Sequence, residues 1–410
     1  MNPGIAIVGT LDTKAIEIQY LKESIAAGEC EAIVVDVGVF PQDLLQPDIS
    51  RETVAESGGS SPSDILDRHD RKFAVDTMTK GGARVIKNLY DEGKISGIIS
   101  IGGGTGTHIA SGIMHVLPVG FPKLIVSTIA SRDMSGIIGT KDITIMHTVS
   151  DLAGLNFLTR KILSDAAAAI IAMAKNASEP LPAKPVVALT SFGPLNRCAF
   201  FCKAMLEDLG YEVVPFHAVG SGTMAMEDLI DQGVIHGVLD LALHEFADWM
   251  HGGYCKGIGP SRLERGGGKG IPRVILPGGL DMIAFECTSI EGVPSELRNR
   301  KFLSHDFRSF VRTTAEDLSV LAEIISDKLN QAEYPVTMII PLRGWSKADA
   351  PGAPFYDPAL DEIFLMALKS RLVSGIILVE VDANINDFEC AKLAVWQLHQ
   401  QMALRSGMGT

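Results

Sequence analysis

Short apolar runs separated by amphipathic stretches set the rhythm of this chain. Ile5 to Val8, Ala32 to Val37, Gly97 to Ile101, Leu124 to Thr128 and Ile143 to Thr148 are each four to six residues long and mostly apolar. Runs of this kind predict strands buried on both faces. Helical spacing lies between them. Ile16, Tyr20, Leu21 and Ile25 share a face in a segment ending near Ala27, with Asp12 as a candidate N-cap. Further helices are predicted from about Arg71 to Tyr90, from the glycines after Ile101 to Met114, and from Asp151 to Lys175. Residues 39–70 break the rhythm with Pro41, Pro47, Gly58, Gly59 and Pro62. A stretch that long predicts a partly helical excursion over the strand ends, a candidate lid.

Three prolines, Pro180, Pro182 and Pro185, then interrupt the chain. They place a linker at 179–185 between one domain at 1–178 and another at 186–410. The pattern restarts after them. Strands are predicted at Val186–Leu189, Glu212–Phe216, Gly237–Leu241, Arg273–Leu276, Val336–Ile340 and Gly375–Val381. Helices are predicted at Asn196–Leu209, Met224–Ile230, Thr314–Asn330, Pro358–Leu372 and Asp387–Leu404. Strand–helix alternation in both halves implies an α/β fold, with mostly parallel sheets and helices on both faces.

Composition narrows the classes. Hydrophobic residues make up 46% of 410, aromatics only 6%, and there are 41 glycines. Each half can bury a core with close helix–sheet packing. The net charge of −13 and the lack of a basic run argue against general binding to nucleic acid or to an anionic membrane. The six cysteines form no CxxC pair and read as free thiols. The first residues have neither a basic start nor a long apolar region, and no apolar run approaches the ~20 residues of a membrane span. A soluble cytoplasmic protein is the expectation.

Ligands of open α/β sheets bind beyond the carboxyl ends of the strands, so chemistry is sought there. Gly102-Gly103-Gly104-Thr105-Gly106-Thr107 follows the third strand and opens a helix. Such a turn offers close backbone approach and unpaired amides for an anion. Gly9-Thr10-Leu11-Asp12-Thr13-Lys14 follows the first strand, and Lys14 adds a point charge. Asp36 ends the second strand, where ribose hydroxyls are held in such folds. Ser127 and Thr128 end the fourth. Neither turn satisfies a strict fingerprint: Gly9–Lys14 has one glycine and lacks the Gly-Lys-Ser/Thr ending of Walker A, and the G-x-G-x-x-G pattern from Gly102 fails at its last position, Thr107. In the second domain His217 and Glu245 are acid–base candidates, Arg343 suits a carboxylate or phosphate, and Gly220-Ser221-Gly222 is a second anion turn. His244 and His251 lack a third partner at ligand spacing, so no metal site is expected. Gly266 to Gly270 reads as a loop.

Taken in order, these strand-end motifs resemble one family. They run from Gly9–Lys14, Val35-Asp36-Val37, Gly102–Thr107, Val126-Ser127-Thr128 and Asp151–Asn156 to Thr190–Gly193, Phe216-His217-Ala218, Leu239-Asp240-Leu241, Pro277–Met282, Arg312-Thr313-Thr314 and Arg343-Gly344. The family comprises bacterial and fungal proteins related to the amino-terminal region of the tomato inhibitor of tobamovirus RNA replication. Its Gly-Thr-x-Asp-Thr-Lys pattern is met at Gly9–Lys14. The resemblance implies two Rossmann-like domains, homodimers, and ATP, with or without magnesium, held in the first domain by the Gly9–Lys14 and Gly102–Thr107 turns. The leading expectation is an ATP-binding protein that uses the nucleotide on a small anionic metabolite. A nucleotide-gated protein-interaction module without turnover is one alternative. A sugar-acid or carbonyl-processing enzyme with its chemistry in the second domain is another.

Overall fold

The computed structural model describes residues 4–176, 184–264, 270–332 and 336–405. The chain divides into two compact units, Met1–Pro180 and Leu181–Thr410. Most of the predicted linker at 179–185, and of the glycine run at 266–270, lies outside the described residues.

The first unit runs β1 (Gly4–Gly9), α1 (Leu11–Ala27), β2 (Glu31–Asp36), α2 (Arg51–Gly58), α3 (Pro62–Asp67), α4 (Arg71–Asp91), β3 (Gly97–Gly102), α5 (Gly104–Met114), β4 (Lys123–Ser127), α6 (Ser135–Ile138), β5 (Thr144–His147) and α7 (Phe157–Lys175). Its five strands are all parallel, in the order β2-β1-β3-β4-β5. Alternate residues of each strand feed opposite cores. Ile5 and Ile7 of β1 pack with Ile18 and Leu21 of α1 and Leu163 and Ile170 of α7. Ala6 and Val8 pack with Val54 of α2, Met78 and Ile86 of α4, and Ile109 and Ile113 of α5. Each fully buried Ile or Leu contributes about 1.5–3 kcal/mol.

The 39–70 excursion is partly helical, through α2 and α3. Its chain also covers the sheet edge, since Asp36 N–H bonds Ile49 C=O and Ile49 N–H bonds Val34 C=O. The helix expected from Asp151 begins only at Phe157. Gly154 has φ 84° and Asn156 caps the helix, accepting from Leu158 and Thr159 amides at 2.9 and 3.1 Å.

The second unit runs β6 (Val186–Ser191), α8 (Asn196–Asp208), β7 (Glu212–His217), α9 (Ser221–Asp231), β8 (Gly237–Ala242), α10 (His244–His251), β9 (Arg273–Gly278), β10 (Met282–Phe285), β11 (Phe302–Ser304), β12 (Ser309–Arg312), α11 (Ala315–Leu329), β13 (Val336–Pro341), α12 (Pro358–Arg371), β14 (Ile376–Val381) and α13 (Phe388–Arg405). A parallel sheet of order β14-β13-β9-β8-β6-β7 is flanked by α8 and α13 on one face and by α9, α11 and α12 on the other. Read from its second strand, this is the topology of the first unit with one strand added. The antiparallel sheet β10-β12-β11 was not foreseen. Its strands are three or four residues long, too short for alternation to register.

A charge network is buried beside β8. Arg262 is fully buried and forks onto Asp240 at 2.6 and 2.9 Å, with Nε 3.2 Å from Glu245. Glu227 accepts from Arg262 at 3.3 Å and from both Nη atoms of Arg273 at 2.9 Å. Breaking such a network by removing one partner costs about 3–5 kcal/mol, because the opposite charges stay buried. Arg262→Ala is therefore expected to lower unfolding stability by about that much, read as the urea midpoint of the second unit's transition. Arg262→Lys cannot fork and should recover little. An unchanged midpoint in either variant contradicts this assignment.

Candidate functional site

β1 and β3 are neighbours, and the strand order reverses between them. Chains leaving the two strands diverge to opposite faces and leave a crevice at their carboxyl ends. α1 and α5 both start there. The N-cap of α5 is Gly103, which has no side chain to cap with, and the first amide bonded within the helix is that of Thr107, to Gly103 C=O at 2.9 Å. The amides of Gly104, Thr105 and Gly106 thus occupy a first turn with no intrahelical acceptor. In α1, Thr10 makes no side-chain cap, and Lys14 departs from helical geometry at φ −131° and ψ 18°.

The glycines of the two turns fall into two kinds. A Cβ on Gly9 would lie 2.3 Å from Ile18 Cδ1, and one on Gly102 would lie 3.0 Å from Gly106 Cα. Those two let elements pack. A Cβ on Gly104 would meet nothing within 4 Å, and one on Gly103 only Thr128 Oγ1 at 3.6 Å. Those two face open space.

That space is a cavity of about 720 Å³, within the ordinary range for small-molecule sites. Thr10, Asp12, Thr13 and Lys14 line one side, and Gly103 to Gly106 another. Val37, Val39, Phe40, Ile65, Ala74 and Ile109 give it an apolar wall. Asp12 Oδ2 accepts from the amides of Val39 and Phe40 at 3.0 Å each, which fixes the start of the excursion over the crevice. Lys14 Nζ donates to Leu152 C=O at 2.6 Å. Thr10 and Thr13 share a hydroxyl hydrogen bond of 2.9 Å.

Other predicted residues support this cavity without lining it. Asp36 is 2% exposed, and its Oδ1 accepts from the amides of Leu11 at 3.1 Å and Gly38 at 2.8 Å. Burial pushes its carboxyl above the ordinary value. The ribose role expected of Asp36 does not match this placement, because the carboxylate fastens the β1–α1 turn from beneath. Thr107 and Ser127 are buried and share a 2.7 Å hydroxyl bond, and the Thr128 amide bonds Gly102 C=O. The lining also holds Phe40, Ile65, Leu66, His69 and Asp70 of the excursion expected as a lid, none of them expected individually, and Arg71 just after it. One signal for them was present. Asp70 precedes an amphipathic helix and caps it, accepting from Lys72 and Phe73 amides.

The second-unit candidates do not converge. His217 is exposed at the end of β7, with Nδ1 3.1 Å from Ser191 C=O. Arg343 is exposed beyond β13 and forks onto Asp382 at 2.7 and 2.9 Å. β7 and β13 are four strand steps apart in the sheet order, or about 19 Å at ~4.8 Å per step. Glu245 is fully buried and saturated by Gly220 N–H, Thr223 Oγ1 and Arg262. Burial raises its carboxyl while Arg262 pulls it back. These contacts give Glu245 a structural task, and the Gly220–Gly222 turn is packed rather than open: a Cβ on Gly222 would lie 2.1 Å from His217 C=O. His244 is stacked on Phe192 at 3.5 Å, and burial pushes its imidazole down to about 3. His251 bonds Asp317 at 2.9 Å. No group of three or more His, Cys, Asp or Glu suited to a metal occurs among the described residues.

Asp281 past the end of β9, Asp349 past the end of β13 and Asp361 in the first turn of α12 are buried around Arg312. Arg312 donates to Asp361 at 2.8 Å, Ser346 to Asp281 at 2.7 Å, and Trp345 N–H to Asp349 at 2.9 Å. Burial pushes Asp281 up to about 7. Burial and mutual repulsion also raise Asp349 and Asp361.

The first unit's fold and cavity define a class: an open, parallel α/β unit with a ligand-sized crevice at its strand-order switch. The chain belongs to the uncharacterised protein family UPF0261. The model of that family's N-terminal domain matches residues 3–179, and the model of its C-terminal domain matches 184–402. A relative from Clostridium tetani named UPF0261 protein is 43% identical over 394 residues, covering 95% of this chain and 97% of the relative. The ToMV resistance protein Tm-1(GCR237) of Solanum lycopersicum is 33% identical over 418 residues, covering 96% of this chain and 55% of the tomato protein. A solved UDP-N-acetylglucosamine 2-epimerase from Rickettsia bellii shares 10% identity, with 99% and 97% of the two chains covered and a TM-score of 0.25, too remote to bear on function. Among the described residues no helix is long and apolar enough to cross a membrane.

The aspartate cluster has a pH consequence. A carboxyl whose folded value is raised above 3.8 keeps its proton when folded and loses it when unfolded, so stability falls as pH climbs from about 4 towards the folded value of about 7 for Asp281. The raised Asp349 acts in the same direction. Asp349→Asn removes one of these titrations. The loss of urea stability between pH 5 and pH 8 should be smaller in this variant than in the wild type, and an equal loss would refute the protonated cluster.

Proposed function

We propose that the Met1–Pro180 unit binds a phosphate-bearing adenine nucleotide, ATP, in the cavity between the β1–α1 and β3–α5 turns. The observation that carries this reading is the open first turn of α5. Gly104, Thr105 and Gly106 present amides without intrahelical acceptors, and no side chain stands between Gly104 and the cavity. Backbone amides and a helix dipole at that point suit phosphate oxygens. Lys14 and the hydroxyls of Thr10, Thr13 and Thr105 add donors. The wall of Val37, Val39, Phe40, Ile65 and Ile109 suits a planar base. The residues present therefore fit the nucleotide. Magnesium would enter with the phosphates, as it is usually held by them and by water.

The reading stops at binding. Among the described residues His217 and Arg343 stand four strand steps apart and Glu245 is saturated by structural contacts, so these three candidates lend no support to turnover of an anionic metabolite or a carbonyl chemistry in the second unit. The virus resistance in the tomato relative's name belongs to that protein and is not carried to this chain.

Gly104→Val tests the cradle cleanly, because its side chain enters open space rather than neighbouring atoms. Calorimetry should find ATP bound by the wild type and at least ~10-fold weaker binding by the variant, about 1.4 kcal/mol or more. The melting temperature without ligand should stay nearly unchanged. Undiminished ATP affinity would overturn the assignment.

A further inference from the structure

Several arginines of this chain pair with carboxylates: Arg51 with Glu52, Arg300 with Asp317, Arg308 with Asp306, Arg343 with Asp382 and Arg371 with Glu323. Arg71 does not. It is exposed, lines the cavity, and makes no ion pair among the described residues. Its Nη2 donates to a neutral hydroxyl, Thr105 Oγ1, at 2.8 Å. Thr105 is the second residue of α5, so the guanidinium stands at the helix start whose amides lack acceptors.

The local backbone holds Arg71 there. His69 adopts φ 51°, and Asp70 has extended geometry with its carboxylate capping α4. This sharp turn ends the 39–70 excursion and places Arg71 as the first residue of α4. A guanidinium has five N–H donors in a planar fork that matches phosphate oxygens. One hydroxyl uses one of them. A positive charge left with a weak neutral partner beside open amides is poised for an anion, and an anion held there would join α4 to α5.

We propose that Arg71 is the residue that reads the phosphate group, making the site selective for phosphate-bearing ligands over the bare nucleoside. This inference rests on the nucleotide reading of the cavity and adds to it a specificity determinant from the excursion. Asp12 and Asp70, the carboxylates of the lining, each accept backbone amides through one oxygen, Asp12 from Val39 and Phe40 and Asp70 from Lys72 and Phe73, and neither pairs with Arg71.

Calorimetry on the full chain with ATP, adenosine and inorganic pyrophosphate separates the possibilities. Arg71→Ala should weaken ATP and pyrophosphate by 10-fold or more and leave adenosine unchanged. Arg71→Lys should restore part of the loss, as a point charge without the fork. Equal losses for ATP and adenosine would mean that Arg71 only braces α4 against α5, and would overturn the inference, as would no loss at all. Arg71-dependent binding of pyrophosphate by a wild type that ignores ATP and adenosine would sustain Arg71 as a phosphate reader and refute the nucleotide reading. A wild type that binds neither ATP nor pyrophosphate refutes both.

Discussion

A parallel sheet whose strand order reverses must send its crossover helices to opposite faces, and the space between their starts is covered by neither. In the first unit this happens between β1 and β3. α1 joins α7 over one face, α5 joins α2 and α4 over the other, and the reversal leaves a cavity. Everything proposed about binding depends on that gap. The amides of α5 lack partners because the helix starts at its edge, and the excursion closes it with an apolar wall because β2 ends beside it.

The second unit contains the same reversal, between β6 and β8, with a different outcome. Phe192 follows β6 and His244 follows β8, and their rings stack in the gap. Glu245, next along α10, takes the Gly220 amide at the start of α9, after the edge strand β7. Arg262 then anchors Glu245, Asp240 and Glu227 together. One topology thus supports a crevice with open amides and a crevice filled by aromatic and ionic packing. The difference lies in side chains: glycines and threonines in one case, Phe, His and Glu in the other.

This contrast explains how much could be read in the sequence. The main parallel strands and the helices between them were legible because four to six continuous apolar residues alternate with helical periodicity. Both cavity turns were legible because glycine after a strand has a local backbone meaning. Burial of single polar residues was not. Asp36 and Glu245 looked like site residues from their place after a strand, and each turned out to fasten backbone amides. Glu245 has its charge partner 17 positions away, on a segment with no periodic signal. Arg71 was missed for the converse reason: its role depends on meeting Thr105, 34 positions away. The strands β10 to β12 escaped because pairing between distant short segments, not local pattern, creates them.

The central claim is that ATP occupies the gap between β1 and β3 and contacts both helix starts and the excursion. Hydrogen–deuterium exchange with and without saturating ATP reads this directly. The account predicts slower exchange confined to peptides covering residues 10–14, 65–75 and 103–109, with the segment from β9 to α11 unchanged. Protection centred on the second unit, or none in the 103–109 peptide, would contradict it.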